Sequence, residues 1–461
     1  MSNEEKCSTE LSYRDKIIMA PMVRIGTLPM RLLALDYGAD IVYTEELIDW
    51  KLLRSIRREN EKLQTIDYVD RTDGTVVFRT CAREKNHVVL QIGTSDAGRA
   101  LQVAKMVHND VAGIDVNMGC PKRFSLTGGM GAALLKQPEK AKGILKTLVE
   151  GSKVPISCKI RVLPTVEETL ALCEILISAG ISAIAVHGRT TEERPQHPNR
   201  IETLRKIAEK LRIPVIANGG SRDIETHKDI LKFKEESGCS SVMIARAAEW
   251  NCSIFKKDGV LPMEQVIKDY LKCAVDYDNP PSNTKYCVQN ILRDLQETPK
   301  GRRFLDALTL QQICDVWDMG DYCRMKEKEY QANGGLLGRY NLLITADETE
   351  GGKSTKRKYE DEDVTSINCA FLKNSYSSDA ELPKTRLSAW AWRHKKEVPS
   401  YKTWKEEKLF RSVVCVDGRK YGSSLWEKNK KRAEQSAALA CLYSLGLIRT
   451  DNSGETGKVI T

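Results

Sequence analysis

The chain has 461 residues, more than one hydrophobic core usually serves, so two or three domains are expected. Its 41% hydrophobic and 29% charged residues exclude a mostly disordered chain. The formal net charge is +9, from 72 Lys plus Arg against 63 Asp plus Glu, and its distribution says more than its size. Residues 364–461 hold 18 basic and 10 acidic side chains, a net of +8, which leaves +1 for the first 363. The 14 cysteines are scattered, without a C-x-x-C pair or a Cys/His ladder, so they are expected to be reduced thiols with no metal site. The first sixteen residues, MSNEEKCSTELSYRDK, have no apolar core of a signal peptide, and no stretch holds eighteen apolar residues in a row. A soluble cytoplasmic protein without membrane insertion is the expectation.

In chain order, short apolar runs at 17–20, 41–44, 88–92, 114–117, 155–160, 183–187, 214–217 and 242–245 read as eight strands. Several are nearly continuous Val/Ile/Ala, the mark of parallel strands covered on both faces, and helical patterns such as 165–179 and 223–236 separate them. Eight βα units predict an α/β fold, a (β/α)8 TIM barrel over residues 1–260. After the second strand comes a helix-like stretch and then TIDYVDRTDGTVVFRT, whose alternation around Asp73-Gly74 predicts an inserted β-hairpin. Residues 261–340 switch to helical patterns and predict a small helical domain. Residues 341–363, polar and dense in charges of both signs, read as a flexible linker. Residues 364–450 then give a helix (387–396), strands at 400–404, 409–416 and 419–425, and a helix starting in KNKKRAEQSAALACLYSLG, before a disordered tail at 451–461.

A barrel of this kind collects its chemistry at the C-terminal ends of the strands. There stand Ala20-Pro21-Met22, Gln91-Ile92-Gly93, Asp115-Val116-Asn117-Met118-Gly119-Cys120-Pro121, Cys158-Lys159-Ile160-Arg161, His187-Gly188-Arg189-Thr190, Ala217-Asn218-Gly219-Gly220 and Ala245-Arg246. The glycines after strands seven and eight allow close backbone approach to a phosphate, and Arg246 would stabilise its charge. Lys159 and His187, on neighbouring strands, suit a ring that gathers negative charge on reduction, as a flavin does. Cys120 sits in a Gly-Cys-Pro turn beside that position, and a thiol of ordinary pKa is protonated enough at neutral pH to act as a general acid. The other cysteines read as small buried hydrophobes, and His87, His197 and His227 as surface or satisfied residues.

The ordered set APM, QIG, DVNMGCP, CKIR, HGRT, ANGG and Ala245-Arg246 resembles the tRNA-dihydrouridine synthase family over 17–246, with the helical segment similar to that family's second domain. The resemblance implies an FMN enzyme that uses NADPH to reduce the C5=C6 bond of a D-loop uridine in tRNA, with Cys120 protonating C5. By motif, Pro21, Met22, Gln91, Lys159, His187, Asn218, Gly219, Gly220, Ala245 and Arg246 would contact FMN. Asn117 and Arg189 would lie near the flipped-out uracil. The alternative is an RNA-binding scaffold protein whose barrel no longer catalyses; such a barrel is expected to have lost the Cys, Lys or His, and all three stand.

The C-terminal helix–strand–strand–strand–helix order resembles a double-stranded RNA-binding domain, which reads A-form shape through phosphate and 2′-OH contacts. Lys428, Lys430 and Lys431 match that family's phosphate-clamping lysines. Two positions depart from its pattern: Glu434 stands where a further lysine is usual, and the KEEK loop lacks the Gly-Pro-x-His that enters the minor groove. Lys384, Arg386, Arg393, Lys395 and Lys396 are expected to supply the missing contacts, while Trp390 and Trp392 read as packing residues. The partners implied are tRNA, double-stranded RNA regions and other double-stranded-RNA-binding proteins.

Overall fold

The computed structural model describes residues 11–71, 74–332, 363–367, 369, 371, 382–406, 409–427 and 429–448. Strands β1 (Ile17–Met19) and β2 (Ile41–Tyr43) open the barrel; β3 (Leu47–Ile48) follows on its rim. After an insertion formed by β4 (Ser55–Asn60), β5 (Thr65–Asp70) and β6 (Val76–Cys81), the barrel continues. Its remaining strands are β7 (Val88–Gly93), β8 (Gly113–Asn117), β9 (Ile156–Arg161), β10 (Ala183–His187), β11 (Val215–Asn218) and β12 (Ser241–Ile244). β1, β2 and β7 to β12 pair in parallel, and β12 returns to β1 through Ile17 with Val242 and Met19 with Ile244, closing eight strands into the expected barrel. With no open edge, every strand interior is covered, which is why the strands are short unbroken apolar runs.

Inside, Ile18, Tyr43, Val89, Ala185, Ile216 and Met243 form one buried cluster closed below by Tyr13. The small Ala183 and Ala185 leave room for a buried polar group: Ser157 donates to Asp115 at 2.7 Å, and the Tyr13 hydroxyl donates to Ser157 at 3.5 Å. Outside, Thr165 and Thr226 cap the helices Val166–Ile177 and His227–Ser237 through reciprocal bonds with Glu168 and Asp229.

The insertion is larger than a hairpin. β5 and β6 form the predicted pair, with Gly74 at φ +64° in the turn and Asp73 outside the described residues. The helix-like stretch before them stops at Leu53, and its continuation becomes β4, third strand of a β4–β5–β6 sheet. A tertiary contact favours the extended form: Arg57 makes a bidentate pair with Asp110, at 2.7 and 2.9 Å.

The helical segment begins with Met263–Asp276 and Pro281–Leu292 and runs to Gly320–Ala332; to Lys326 it clusters with the barrel in one compact unit. Asn283 donates to the Arg24 carbonyl at 2.6 Å, Thr27 donates to Asn283 at 3.1 Å, and the Arg24 guanidinium lies 4.0 Å from the centre of the Tyr286 ring. The segment thereby fastens the loop after β1, which carries Pro21 and Met22. Among the described residues no helix is long and apolar enough to cross a membrane.

The C-terminal region has helices Pro383–Arg393 and Lys430–Ser444 against β14 (Ser400–Glu406), β15 (Leu409–Val416) and β16 (Arg419–Ser423), the expected αβββα order. The first helix starts four residues earlier than its pattern suggested, because Pro383 is pre-set for the first helical position. A strand absent from the sequence reading, β13 (Val364–Ile367), pairs in parallel with β16. The expected linker, except Asp363, and the expected tail lie outside the described residues.

Candidate active site

The rim is built from strand ends held in fixed register. Asn117 faces Lys159, Lys159 faces Ala185, and His187 faces both Arg161 and Asn218. On the floor, Gln91 donates to Asp115 at 2.9 Å, and burial lifts the Asp115 carboxyl to about 6 against the bonds from Gln91 and Ser157.

Cys120 is positioned by its own loop. The Asn117 Oδ1 accepts the backbone N–H groups of Gly119 and Cys120 at 2.9 and 3.1 Å, folding the chain back at the end of β8. Arg161 donates to the carbonyls of Gly119 (2.9 Å) and Thr190 (2.9 Å), joining the loops after β8 and β10. The hydroxyl of Ser125, fully buried, donates to Cys120 Sγ at 3.3 Å. Gly131, at φ +59°, passes so close that a Cβ there would lie 2.8 Å from the Cys120 carbonyl. The thiol itself is half-buried, whereas every other described cysteine except Cys415 is buried.

Burial pushes the Lys159 ammonium down to about 8, with Arg161 adding repulsion and Asp115 opposing. Burial also takes His187 well below its usual value, helped by Lys159, Arg161 and Arg189, so its ring is neutral at pH 7. The His187 Nδ1 is buried without a partner among the described residues. Burial lowers Arg189 and Arg246 too, and Arg246 lowers Arg189 further. Four cationic side chains thus crowd one rim and repel one another, an arrangement relieved by an anion. At the β11 end, Gly219 has φ +116°, and a Cβ there would lie 2.4 Å from Asn199 Oδ1. Asn218 donates to the Met243 carbonyl at 2.8 Å, and Ala245 leads into the short helix Arg246–Trp250. This end offers backbone and positive charge, and the Lys159–His187 side offers donors beside the half-buried thiol.

The predicted residues Pro21, Met22, Gln91, Asn117, Cys120, Lys159, His187, Asn218, Gly219, Gly220, Ala245 and Arg246 all stand at the same ends of the barrel strands. Arg189 differs in what it has free: two of its N–H groups donate to the His197 and Gly219 carbonyls at 2.8 and 2.7 Å, tying two loops together. Asp115 and Arg161 stand among the strand-end runs without a role read for them, and Ser125 and Asn199 are absent from the sequence reading. Arg161 was readable, two residues beyond Lys159 on the same strand; Asn199 gave no signal, and both its amide atoms are buried without partners among the described residues.

In the C-terminal domain, Arg393, Lys395, Lys396, Lys430 and Lys431 are exposed and Arg386 is half-buried; Lys428 lies outside the described residues. Lys430 and Lys431 open a helix capped by Asn429, where positive charge opposes the helix dipole; a bound phosphate would reverse that conflict. Lys384 is engaged, 2.5 Å from Glu434 and 4.5 Å from the Tyr401 ring centre. Lys396 pairs with Asp417 at 2.8 Å. Glu434, standing where a lysine is usual, therefore neutralises one of the cations expected to replace it.

The model of the dihydrouridine synthase family matches residues 18–297, and that of the double-stranded RNA binding motif matches 383–445. A Schizosaccharomyces pombe protein named tRNA-dihydrouridine(20) synthase, NAD(P)+, is 43% identical over 293 residues, which are 61% of this chain and 60% of that protein. A Saccharomyces cerevisiae protein of the same name is 38% identical, over 61% of this chain and 78% of that one. A crystal structure of a tRNA-dihydrouridine(20) synthase double-stranded RNA-binding domain is 40% identical, covering 18% of this chain and 89% of that one, with a TM-score of 0.18.

Proposed function

The chain belongs to the dihydrouridine synthase family, and from that membership we propose that it reduces the C5=C6 bond of a D-loop uridine in cytoplasmic tRNA, with NADPH as the reductant. The names of the two yeast relatives point to position 20. The observation that carries the reading is the half-buried Cys120 thiol, held from several sides beside a cationic rim.

That rim fits FMN. The unpartnered His187 Nδ1 and the Lys159 ammonium suit the electron-rich edge of the ring, and the backbone of Gly219-Gly220, with Ala245-Arg246, suits the phosphate. Pro21, Met22, Gln91 and Asn218 complete the set. FMN, when bound, supplies the hydride for C6 of the uracil. Cys120 gives its thiol proton to C5, and Ser125 and the Asn117 turn hold the sulfur where that transfer occurs. Asn117, and the charge of Arg189, face the extracted base. Lys430 and Lys431 hold phosphates of a duplex RNA region.

The purified protein, reduced by NADPH, is expected to recover its flavin absorbance when unmodified tRNA is added, and to gain dihydrouridine in that tRNA. Cys120→Ala should keep FMN and lose turnover by about two to four decades, the usual size of a general-acid contribution. Failure of tRNA to reoxidise the wild-type flavin sinks the reading.

A further inference from the structure

One carboxyl at the rim has no role in the site as described. Glu46 lies between β2 and β3. β3 pairs Leu47 with Ile92 and Ile48 with Gly93, which pins the chain at Glu46 against the end of β7. The carboxyl turns in over Gly93: a Cβ added there would lie 2.6 Å from Glu46 Oε1, closer than real Cβ contacts allow. Oε1 is buried and has no hydrogen-bond partner among the described residues. Burial raises the Glu46 carboxyl above its usual range, against side-chain hydrogen bonds with Cys120 and Asn117 and the charge of Lys122. An ionised carboxylate with a dry, unpartnered oxygen is costly, whereas the neutral acid is not.

The Cys120 sulfur also accepts a hydrogen bond from the Ser125 hydroxyl, at 3.3 Å. A thiol that gives up its proton in such a place leaves a thiolate poorly served by water, and its charge must be compensated at short range. The neighbouring acid can do so. A neutral carboxylic acid is a stronger acid than a thiol, so in contact with a thiolate it gives up its proton to the sulfur.

We propose that Glu46 is the proton-relay residue of this site: as the Cys120 S–H gives its proton to C5 of the uracil, the O–H of Glu46 passes its proton to the sulfur. One S–H bond breaks as the C5–H bond forms, one O–H breaks as the S–H is restored, and the carboxylate left behind is reprotonated by hydronium or buffer acid from the solvent, which supplies the net proton of the reduction. Ser125 orients the sulfur throughout, and Gly93 leaves the space the carboxyl occupies. The inference rests on the uridine reduction proposed above and adds the source of the second proton.

Two measurements on the FMN-loaded full chain test it. The infrared difference spectrum of wild type minus Glu46→Gln at neutral pH should carry the carbonyl band of a protonated carboxyl; absence of that band overturns the relay. In stopped flow, reduced Glu46→Gln mixed with unmodified tRNA should reoxidise about a hundredfold more slowly than wild type, within the range of general-acid effects. Glu46→Ala should recover part of its rate when acetate is added, and Gly93→Ala, which displaces the carboxyl without removing it, should be slowed too. FMN content reports whether each variant is folded. A wild-type rate in Glu46→Gln overturns the relay alone, while wild-type flavin that tRNA cannot reoxidise overturns the uridine reduction beneath it.

Discussion

Lys159 shows what the site does to a single residue. Its ammonium titrates near 8 in the folded protein against 10.5 normally, because burial penalises the charge and Arg161 repels it. The unfolded chain therefore binds more protons than the folded one between those values, and stability rises with pH across that window. Below pH 8 the cost of the buried charge is fully present. Lys159→Met should make the flavin-free protein more stable at pH 7, with the advantage fading toward pH 10, as read by urea unfolding. The same variant should bind FMN more weakly, since the anionic ligand is what relieves the charge. Lys159 and His187 were legible from their strand ends, and Cys120 from its turn. Glu46 was not, because nothing in the string EELID tells which of two adjacent carboxyls turns inward; the pairing of β3 with β7 decides it.

Elements in this fold are held by polar ties as well as by apolar runs. In the helix Leu28–Asp36, Arg31 makes a fully buried bidentate pair with Glu84, at 2.8 and 2.6 Å. It also donates to the carbonyls of Gly26 (2.6 Å) and Arg79 (2.7 Å). Glu84→Ala would strand that guanidinium in the interior, and its expected cost is about 3–5 kcal/mol, measured by chemical unfolding. The C-terminal domain repeats the device. Glu427, fully buried, accepts from Arg432 at 3.2 Å and from the Phe371 backbone at 3.1 Å, and so binds the segment ahead of the first helix to the last one. Glu427→Ala should destabilise this domain by about 2–4 kcal/mol through the donors left unpaired, read from its unfolding transition. Helices and barrel strands were legible because their periodicities are local. β4 and β13 were not: one depends on Arg57 meeting Asp110, the other on pairing with β16 more than fifty residues away.

For the molecule as a whole, residues 364–461 carry a net +8 against +1 for the rest, and the proposed function assigns RNA affinity to the first and the chemistry to the second. Removing 364–461 should weaken tRNA binding strongly while NADPH still reduces the flavin, checked by titration and by anaerobic absorbance. Binding of the full chain should fall steeply with salt, with a logarithmic slope of roughly −0.7 to −0.9 per phosphate contact, and Lys431→Ala should reduce that slope by about one contact. Lys384→Ala should change the slope little, because its ammonium is taken by Glu434. A flat salt response would contradict phosphate-led binding.

By itself the sequence determined the barrel, the αβββα order and the gathering of the candidate site residues at one rim, because strand runs, caps and Gly-rich turns are written in neighbouring residues. Only the tertiary structure decided which charges are free and which are occupied. Arg189 is tied to two carbonyls, Lys384 is neutralised, and Glu46 meets Cys120 with its Oε1 left unpartnered among the described residues. Those outcomes depend on groups far apart in the chain meeting at hydrogen-bond distance, and on burial, which sets the cost of leaving them unmet.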